Sequence, residues 1–268
     1  MSITVENISV EYGSRPILNG IDLEIDAGEF VSIVGATGCG KSTLLRLILA
    51  EEHPTHGRVL VQGRERRRPD RTCGYVPQKY SLFPDKTVLD NVTFGLEVTS
   101  RGFFRRRAFQ EEALRYLRHT GLTAADAKKY PHQLSGGMQQ RVAIAQALIM
   151  KPPVLLMDEA FSALDPGTRR GMQRLMKDLW SESGTTVVFV THNTREAVCL
   201  GTRVIALAKR DDQGSSVALD LDVPHLDFDS DDEQVARLIA RVESASEAEA
   251  LPRAHAAGAS PVHTHMRA

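Results

Sequence analysis

Nine consecutive residues constrain this chain more than any others. In Gly35-Ala36-Thr37-Gly38-Cys39-Gly40-Lys41-Ser42-Thr43 the first eight match G-x-x-x-x-G-K-[ST], and Thr43 follows directly. They stand between an apolar run, residues 30–34, and a helical pattern from Lys41 to about Leu49. Strand, glycine-rich turn and helix in that order form a phosphate cradle. The glycines let successive N–H groups turn inward, and the helix presents its positive end to the anion. Lys41 supplies a point charge and Ser42 a hydroxyl for Mg²⁺. The same positive field is expected to lower the pKa of the Cys39 thiol and make it reactive.

The rest of the chain reads as a container for this loop. It has 268 residues, 42% hydrophobic and 25% charged, enough for one or two compact domains. A net charge of -1 offers no global case for nucleic acid as a partner. Three scattered cysteines, Cys39, Cys73 and Cys199, form neither a zinc motif nor a disulfide framework. With no export signal visible, the expected compartment is the cytosol. No run approaches the roughly 18–20 apolar residues that span a bilayer.

Short strands are predicted over residues 3–10, 21–25, 30–34 and 58–61. Residues 88–150 are mostly helical, broken at residues 100–102, Gly121 and Pro131. Strands at 154–157, 187–190 and 204–207 then alternate with helices at 169–183 and 196–200. Alternation of this kind predicts an α/β fold with a largely parallel sheet. Beyond residue 211 the chain turns acidic, with a short helix expected over 230–242. Beyond about residue 245 an Ala-, His- and Pro-rich stretch is expected to be disordered.

Two further motifs narrow the chemistry. Val154-Leu155-Leu156-Met157-Asp158-Glu159 is an apolar strand ending in two carboxylates. After a phosphate loop, Asp158 is placed to hold Mg²⁺ and Glu159 to polarise an attacking water. Leu134-Ser135-Gly136-Gly137-Met138-Gln139-Gln140-Arg141 resembles the signature of ABC ATPases.

That resemblance covers roughly residues 2–210, and its motifs occur in family order. It implies a P-loop NTPase (RecA-like) core with an antiparallel β-subdomain and a helical subdomain at about 88–150. An acidic extension occupies residues 211–268. By resemblance, Tyr12 stacks on adenine, Gln78 is the Q-loop glutamine that reaches Mg²⁺, Asp165 belongs to the D-loop and His192 is the switch histidine. The implied cofactors are ATP and Mg²⁺. Two such domains would face each other head to tail, residues 35–43 of one and Ser135, Gly136, Gly137 and Gln139 of the other enclosing each nucleotide. The second subunit is expected to be an identical chain.

A single cassette without a long heptad insertion is similar to importer motors, as is Leu82-Phe83-Pro84-Asp85-Lys86-Thr87-Val88-Leu89-Asp90-Asn91-Val92 after the Q-loop. Tyr130-Pro131-His132-Gln133-Leu134 resembles the nitrate/sulfonate/taurine type. Residues 145–152 resemble a subset linked with urea or amide nitrogen. The resemblance implies permease subunits as partners, a periplasmic-type binding protein acting indirectly, and a place on the cytoplasmic face of the membrane. The alternative is a soluble ABC ATPase that remodels a protein or nucleic-acid complex. Three residues depart from the family pattern: Ala160 for proline, Gln146 for arginine and Asn193 for aspartate. Ala160 is expected to loosen the D-loop slightly. Two arginine clusters, residues 64–71 and 101–107, read first as solvated loops and otherwise as contacts to anionic headgroups. The histidines at 255, 263 and 265 read as a solvated tail.

Overall fold

The computed structural model describes residues 1–79, 82–100, 106–162, 164–224, 226 and 233–247. Within these, ten strands form one sheet: β1 (Ile3–Tyr12), β2 (Arg15–Ile25), β3 (Phe30–Gly35), β4 (His56–Val61), β5 (Arg64–Glu65), β6 (Cys73–Val76), β7 (Val154–Asp158), β8 (Thr186–Val190), β9 (Arg203–Arg210) and β10 (Gly214–Asp222). Seven α-helices accompany them: α1 (Lys41–Leu49), α2 (Val88–Thr99), α3 (Arg106–His119), α4 (Gly136–Leu148), α5 (Pro166–Ser183), α6 (Thr194–Leu200) and α7 (Glu233–Glu247).

Strand order is β5-β4-β1-β2-β10-β9-β3-β8-β7-β6. The stretch from β9 to β6 is parallel, and β1, β2, β4 and β5 pair antiparallel. Both faces of the parallel part are buried, so the middles of its strands are dominated by apolar residues, with Ser32 a buried exception. Leu156, Val188, Ile33 and Leu207 point to the side where α1 packs beneath β1, β2 and β4. Leu155, Met157, Val187 and Phe189 point to the other side, onto α4 and α5. Val34, Val204 and Ala206 meet α6 and α7. Helices α2, α3 and α4 form a satellite core around Val92, Leu117 and Val142.

Two sequence expectations need correction. The strand expected at 204–207 is not the last, because β10 follows it and lies between β9 and β2. Its acidic residues had marked this stretch as an extension. They alternate along the strand, and Asp220 takes two hydrogen bonds from the Arg203 guanidinium on β9, both 2.6 Å. The arginine cluster at 64–71 is not wholly solvated either. Arg66 is buried, and its guanidinium donates to Ile48 O and Leu49 O at the end of α1, answering carbonyls that a helix end leaves open. The helix expected at 230–242 is α7, which runs Glu233–Glu247, and residues 230–232 lie outside the described residues. So do Arg101 and Arg105, the tail histidines, and the expected disorder from residue 248 on.

Candidate functional site

Four adjacent parallel strands end on one side of the sheet, and each hands over to a motif read in the sequence. β3 runs into the phosphate loop, β6 into Pro77-Gln78, β7 into Asp158-Glu159 and β8 into Thr191-His192. Backbone bonds continue the ladder past the strands: Thr191 N donates to Ile33 O (3.1 Å) and Glu159 N to Val190 O (2.9 Å). Carboxyl ends of parallel strands are where open α/β sheets bind ligands.

The phosphate loop is shaped by contacts that admit no side chain. A Cβ on Gly35 would lie 2.5 Å from Leu207 O and 2.7 Å from Cys39 Sγ. Lys41 is buried, and its ammonium donates to Gly35 O (2.8 Å) and Ala36 O (3.0 Å). The cation therefore sits inside the curl made by residues 35–40. At the next position Ser42 is hydrogen-bonded to the Asp158 carboxylate. Burial pushes the Asp158 carboxyl up, and the Ser42 hydroxyl pulls it the other way.

Gln78, Glu159 and His192 come together. Gln78 Nε2 donates to Glu159 Oε2 at 3.0 Å, and His192 Nδ1 lies 3.2 Å from the same oxygen. A half-buried carboxylate thus stands at the mouth of the phosphate loop between an amide and an imidazole. Glu159 has φ 44°, a left-handed backbone for a residue that carries a side chain. Such strain clusters at functional sites. Asn193, the departure beside the switch histidine, caps α6 by accepting from Glu196 N at 3.1 Å. Ala160 is buried, and nothing in the structure shows the loosening expected of it.

Sequence reasoning missed a second layer. Arg46, in the last turn of α1, donates to Thr43 Oγ1 (3.2 Å) and pairs with Glu52 (2.7 Å), which also accepts from the Tyr12 hydroxyl. The exposed Tyr12 ring is thereby tied to the helix that follows the phosphate loop. Periodicity gives no hint of such a polar chain.

The signature residues lie elsewhere. Ser135 caps α4 by accepting from Met138 N, and Gly136 opens the helix. A Cβ on Gly137 would meet Thr168 Cγ2 at 2.4 Å, so the helix start seats closely on α5. Gln139 Nε2 donates to Pro131 O and Leu134 O, which fixes the loop before the cap. Asp165 caps α5 through Thr168 N. Within the described residues, no hydrogen bond joins 135–139 to the phosphate loop.

The reactive thiol expected at Cys39 is a correction. Cys39 is 1% exposed, and burial pushes its pKa up despite the Lys41 charge nearby. Cys73 is pushed up to about 11 by burial. Desolvation wins over the field because the thiol points into the core beneath the loop, where it would approach any Cβ on Gly35. Maleimide at neutral pH is expected to label native Cys39 only slowly, and intact-mass spectrometry of tryptic peptides before and after unfolding checks this. Rapid labelling of Cys39 in the folded protein would restore the thiolate reading.

A phosphate loop at the carboxyl edge of a parallel sheet, open at residues 36–38 and buried at Lys41, with a carboxylate, an amide and an imidazole on the neighbouring strand ends, defines a P-loop nucleoside triphosphatase. The ABC transporter family profile matches residues 18–162, and the chain belongs to that family as an ATP-binding subunit and ATPase. An uncharacterized ABC transporter ATP-binding protein of Methanocaldococcus jannaschii is 43% identical, covering 78% of this chain and 79% of that protein. The aliphatic sulfonates import ATP-binding protein SsuB of Zymomonas mobilis is 40% identical over 84% of this chain and 87% of its own length. A sulfate/thiosulfate import ATP-binding protein of Rhizobium meliloti is also 40% identical, but the chain spans only 58% of it. Among solved structures, the ATP-binding cassette MJ0796, a dimer bound to ADP and Pi, superposes with a TM-score of 0.72 at 35% identity, covering 84% of this chain and all of that one. Among the described residues, no helix is long and apolar enough to cross a membrane.

Proposed function

We propose that this ATPase drives import of a small solute through a membrane permease, on the cytoplasmic face of the membrane. The solute class is of the nitrate/sulfonate/taurine kind or a urea- or amide-type nitrogen compound, delivered by a periplasmic-type binding protein. The observation that carries the reading is the loop just past Gln78. Phe83 is a large exposed apolar side chain packed at a tilt against Phe94 (ring centroids 4.6 Å apart, interplanar angle 53°) with the Lys86 ammonium over both rings. The buried Asn91 side chain braces this loop, accepting from Phe83 N and donating to the carbonyls of Phe83, Lys86 and Thr87. A rigidly held aromatic on the surface is an anchor for a partner helix.

The ATPase domain runs from residue 1 to about 210, with 88–150 as its helical part. The acidic extension contributes β10 to its sheet and α7 to its face. Two copies enclose two nucleotides. In each, Tyr12 stacks on adenine, residues 35–43 hold the phosphates, and Ser135, Gly136, Gly137 and Gln139 of the opposite copy close over them, with Asp165 at the join. Ser42, Asp158 and Gln78 carry oxygen donors of the kind that would hold Mg²⁺, and the partly buried Asp158 carboxylate, bonded to Ser42, favours a cation beside it. Bound there, the ion would neutralise phosphate charge. Glu159 takes the proton of the attacking water, and His192, against the same carboxylate, orients it and faces the γ-phosphate.

The experiment is co-purification with membrane permeases after tagging the native chain. Phe83→Asp is expected to keep the basal ATPase rate of the isolated subunit and to lower permease recovery by at least about tenfold, as loss of an interface anchor does. Normal recovery and normal transport with Phe83→Asp would take the anchor role away from Phe83.

A further inference from the structure

Glu196 lies buried in α6; it touches the loop that carries the switch histidine directly and is linked to the loop after Glu159 through α5. Thr191 Oγ1, in the residue before the switch histidine, donates to Glu196 Oε2 at 2.8 Å. On the opposite side Gln173 Nε2 of α5 donates to Oε1 at 2.9 Å, and Arg169 Nε stands 3.8 Å from it. Arg169 in turn donates to Phe161 O (3.1 Å), Ser162 O (3.2 Å) and Leu164 O (2.9 Å). Three carbonyls of the loop that follows Glu159 are thus gathered by one guanidinium. That loop is closed back on Glu159 by Ser162 N and Oγ, both bonded to Glu159 O.

Helix capping does not account for Glu196. Its position three residues after the cap Asn193 is where a capping-box glutamate would reach back to the cap N–H. Here Asn193 N donates instead to Thr191 Oγ1 at 3.0 Å, and the Glu196 carboxylate extends past the cap to Thr191. Stability alone is also a weak reason for the pair, since buried ion pairs are often replaceable by apolar residues at little cost.

We propose that Glu196 is a positioning residue for hydrolysis: through Arg169 and Thr191 it holds the Phe161–Ser162–Leu164 loop and the His192 loop in a single relative setting. This rests on the reading of Glu159 and His192 as the hydrolytic groups. Glu159 and His192 follow neighbouring strands, and among the described residues their side chains meet at Glu159 Oε2. Glu196 supplies the link behind them, so a shift of either loop is carried to the other. A displacement of about 1 Å at such a site costs on the order of 100-fold in rate.

The test is steady-state phosphate release from the purified full-length chain with MgATP, alongside binding of a fluorescent ATP analogue. Glu196→Ala is expected to lower kcat about 10- to 100-fold with KM and analogue affinity within about threefold. Arg169→Lys, which keeps the charge but cannot gather three carbonyls, should do the same. Glu196→Gln, able to accept from Thr191 but without charge for Arg169, should recover part of the rate. The double variant Glu196→Ala/His192→Ala should be no slower than His192→Ala alone within about threefold, because the two act as a unit. Multiplying effects, or wild-type kcat per folded molecule in both Glu196→Gln and Arg169→Lys, would overturn the proposal. Should Glu159→Gln and His192→Ala themselves turn over at the wild-type rate, the fault lies in the underlying site reading and not in the link.

Discussion

Glu159→Gln is expected to reduce ATP turnover by about 10²–10⁴-fold while leaving ATP bound. General-base catalysis contributes an effect of that size, and the amide keeps the shape of the side chain while losing its ability to take a proton. The surroundings tolerate the change. Gln78 Nε2 donates to the carboxylate now and can donate to the amide oxygen of the variant. The left-handed backbone of Glu159 at φ 44° is set by the strand ladder through Val190 and not by the side chain. With chemistry blocked and the phosphates still held, the closed dimer should accumulate. Phosphate release and sedimentation velocity in MgATP read the two halves of this outcome. Wild-type hydrolysis would take the base assignment away from Glu159.

Ser135→Arg should be nearly as damaging, but in the opposite subunit. The substitution removes the cap of α4, a cost of about 0.5–2 kcal/mol, and sets a cation at the positive end of the helix. Both penalties are small beside the loss expected if this helix start meets the partner's γ-phosphate, where a single oriented donor is worth about 10²–10³-fold in rate. Nucleotide affinity of the lone subunit should change little, because residues 135–139 make no hydrogen bond to the phosphate loop of their own chain among the described residues. Mixing Ser135→Arg with Lys41→Ala separates cis from trans. A mixed dimer can assemble one site with an intact phosphate loop and an intact signature, so activity should reappear. Mixed dimers that form, as shown by differential tagging, yet remain inactive would refute the shared site.

The parallel half of the fold could be read from the sequence because both faces of its strands are covered, so β3, β7 and β8 appear as continuous apolar runs. Helix α1 was legible from the glycine-rich turn before it, whereas α5 was read from residue 169 although it starts at Pro166, capped by Asp165. β10 was illegible because its polar residues match the composition of a tail, and only the cross-strand Arg203–Asp220 pair gives them a structural role. β6, four residues with a glycine among them, is too short for periodicity to register, although it delivers Gln78. The site motifs were legible as spacing, since a phosphate loop needs its residues contiguous. Arg46, Asn91, Arg169 and Glu196 were not, because each acts through partners remote in sequence or through backbone carbonyls, which leave no pattern in side-chain type. Cys39 shows the reverse failure: its neighbours in sequence argued for a charged thiol, and its neighbours in space, apolar and close, decided otherwise.

β10 also bears on when the site can come into being. It is the strand that joins the parallel and antiparallel parts of the sheet, pairing with β9 along its length and with β2 at Ser215–Leu18, a contact across roughly 200 residues of chain. On a ribosome, where domains form as the chain emerges from its amino end, β2 would wait for this neighbour until roughly 200 further residues have emerged, with one edge unprotected. Pairings so distant along the chain are slow to form. The phosphate loop, made early, would therefore gain its finished walls only after β10 has emerged, which sets a natural order in which the nascent subunit completes its sheet before it meets nucleotide or a second copy.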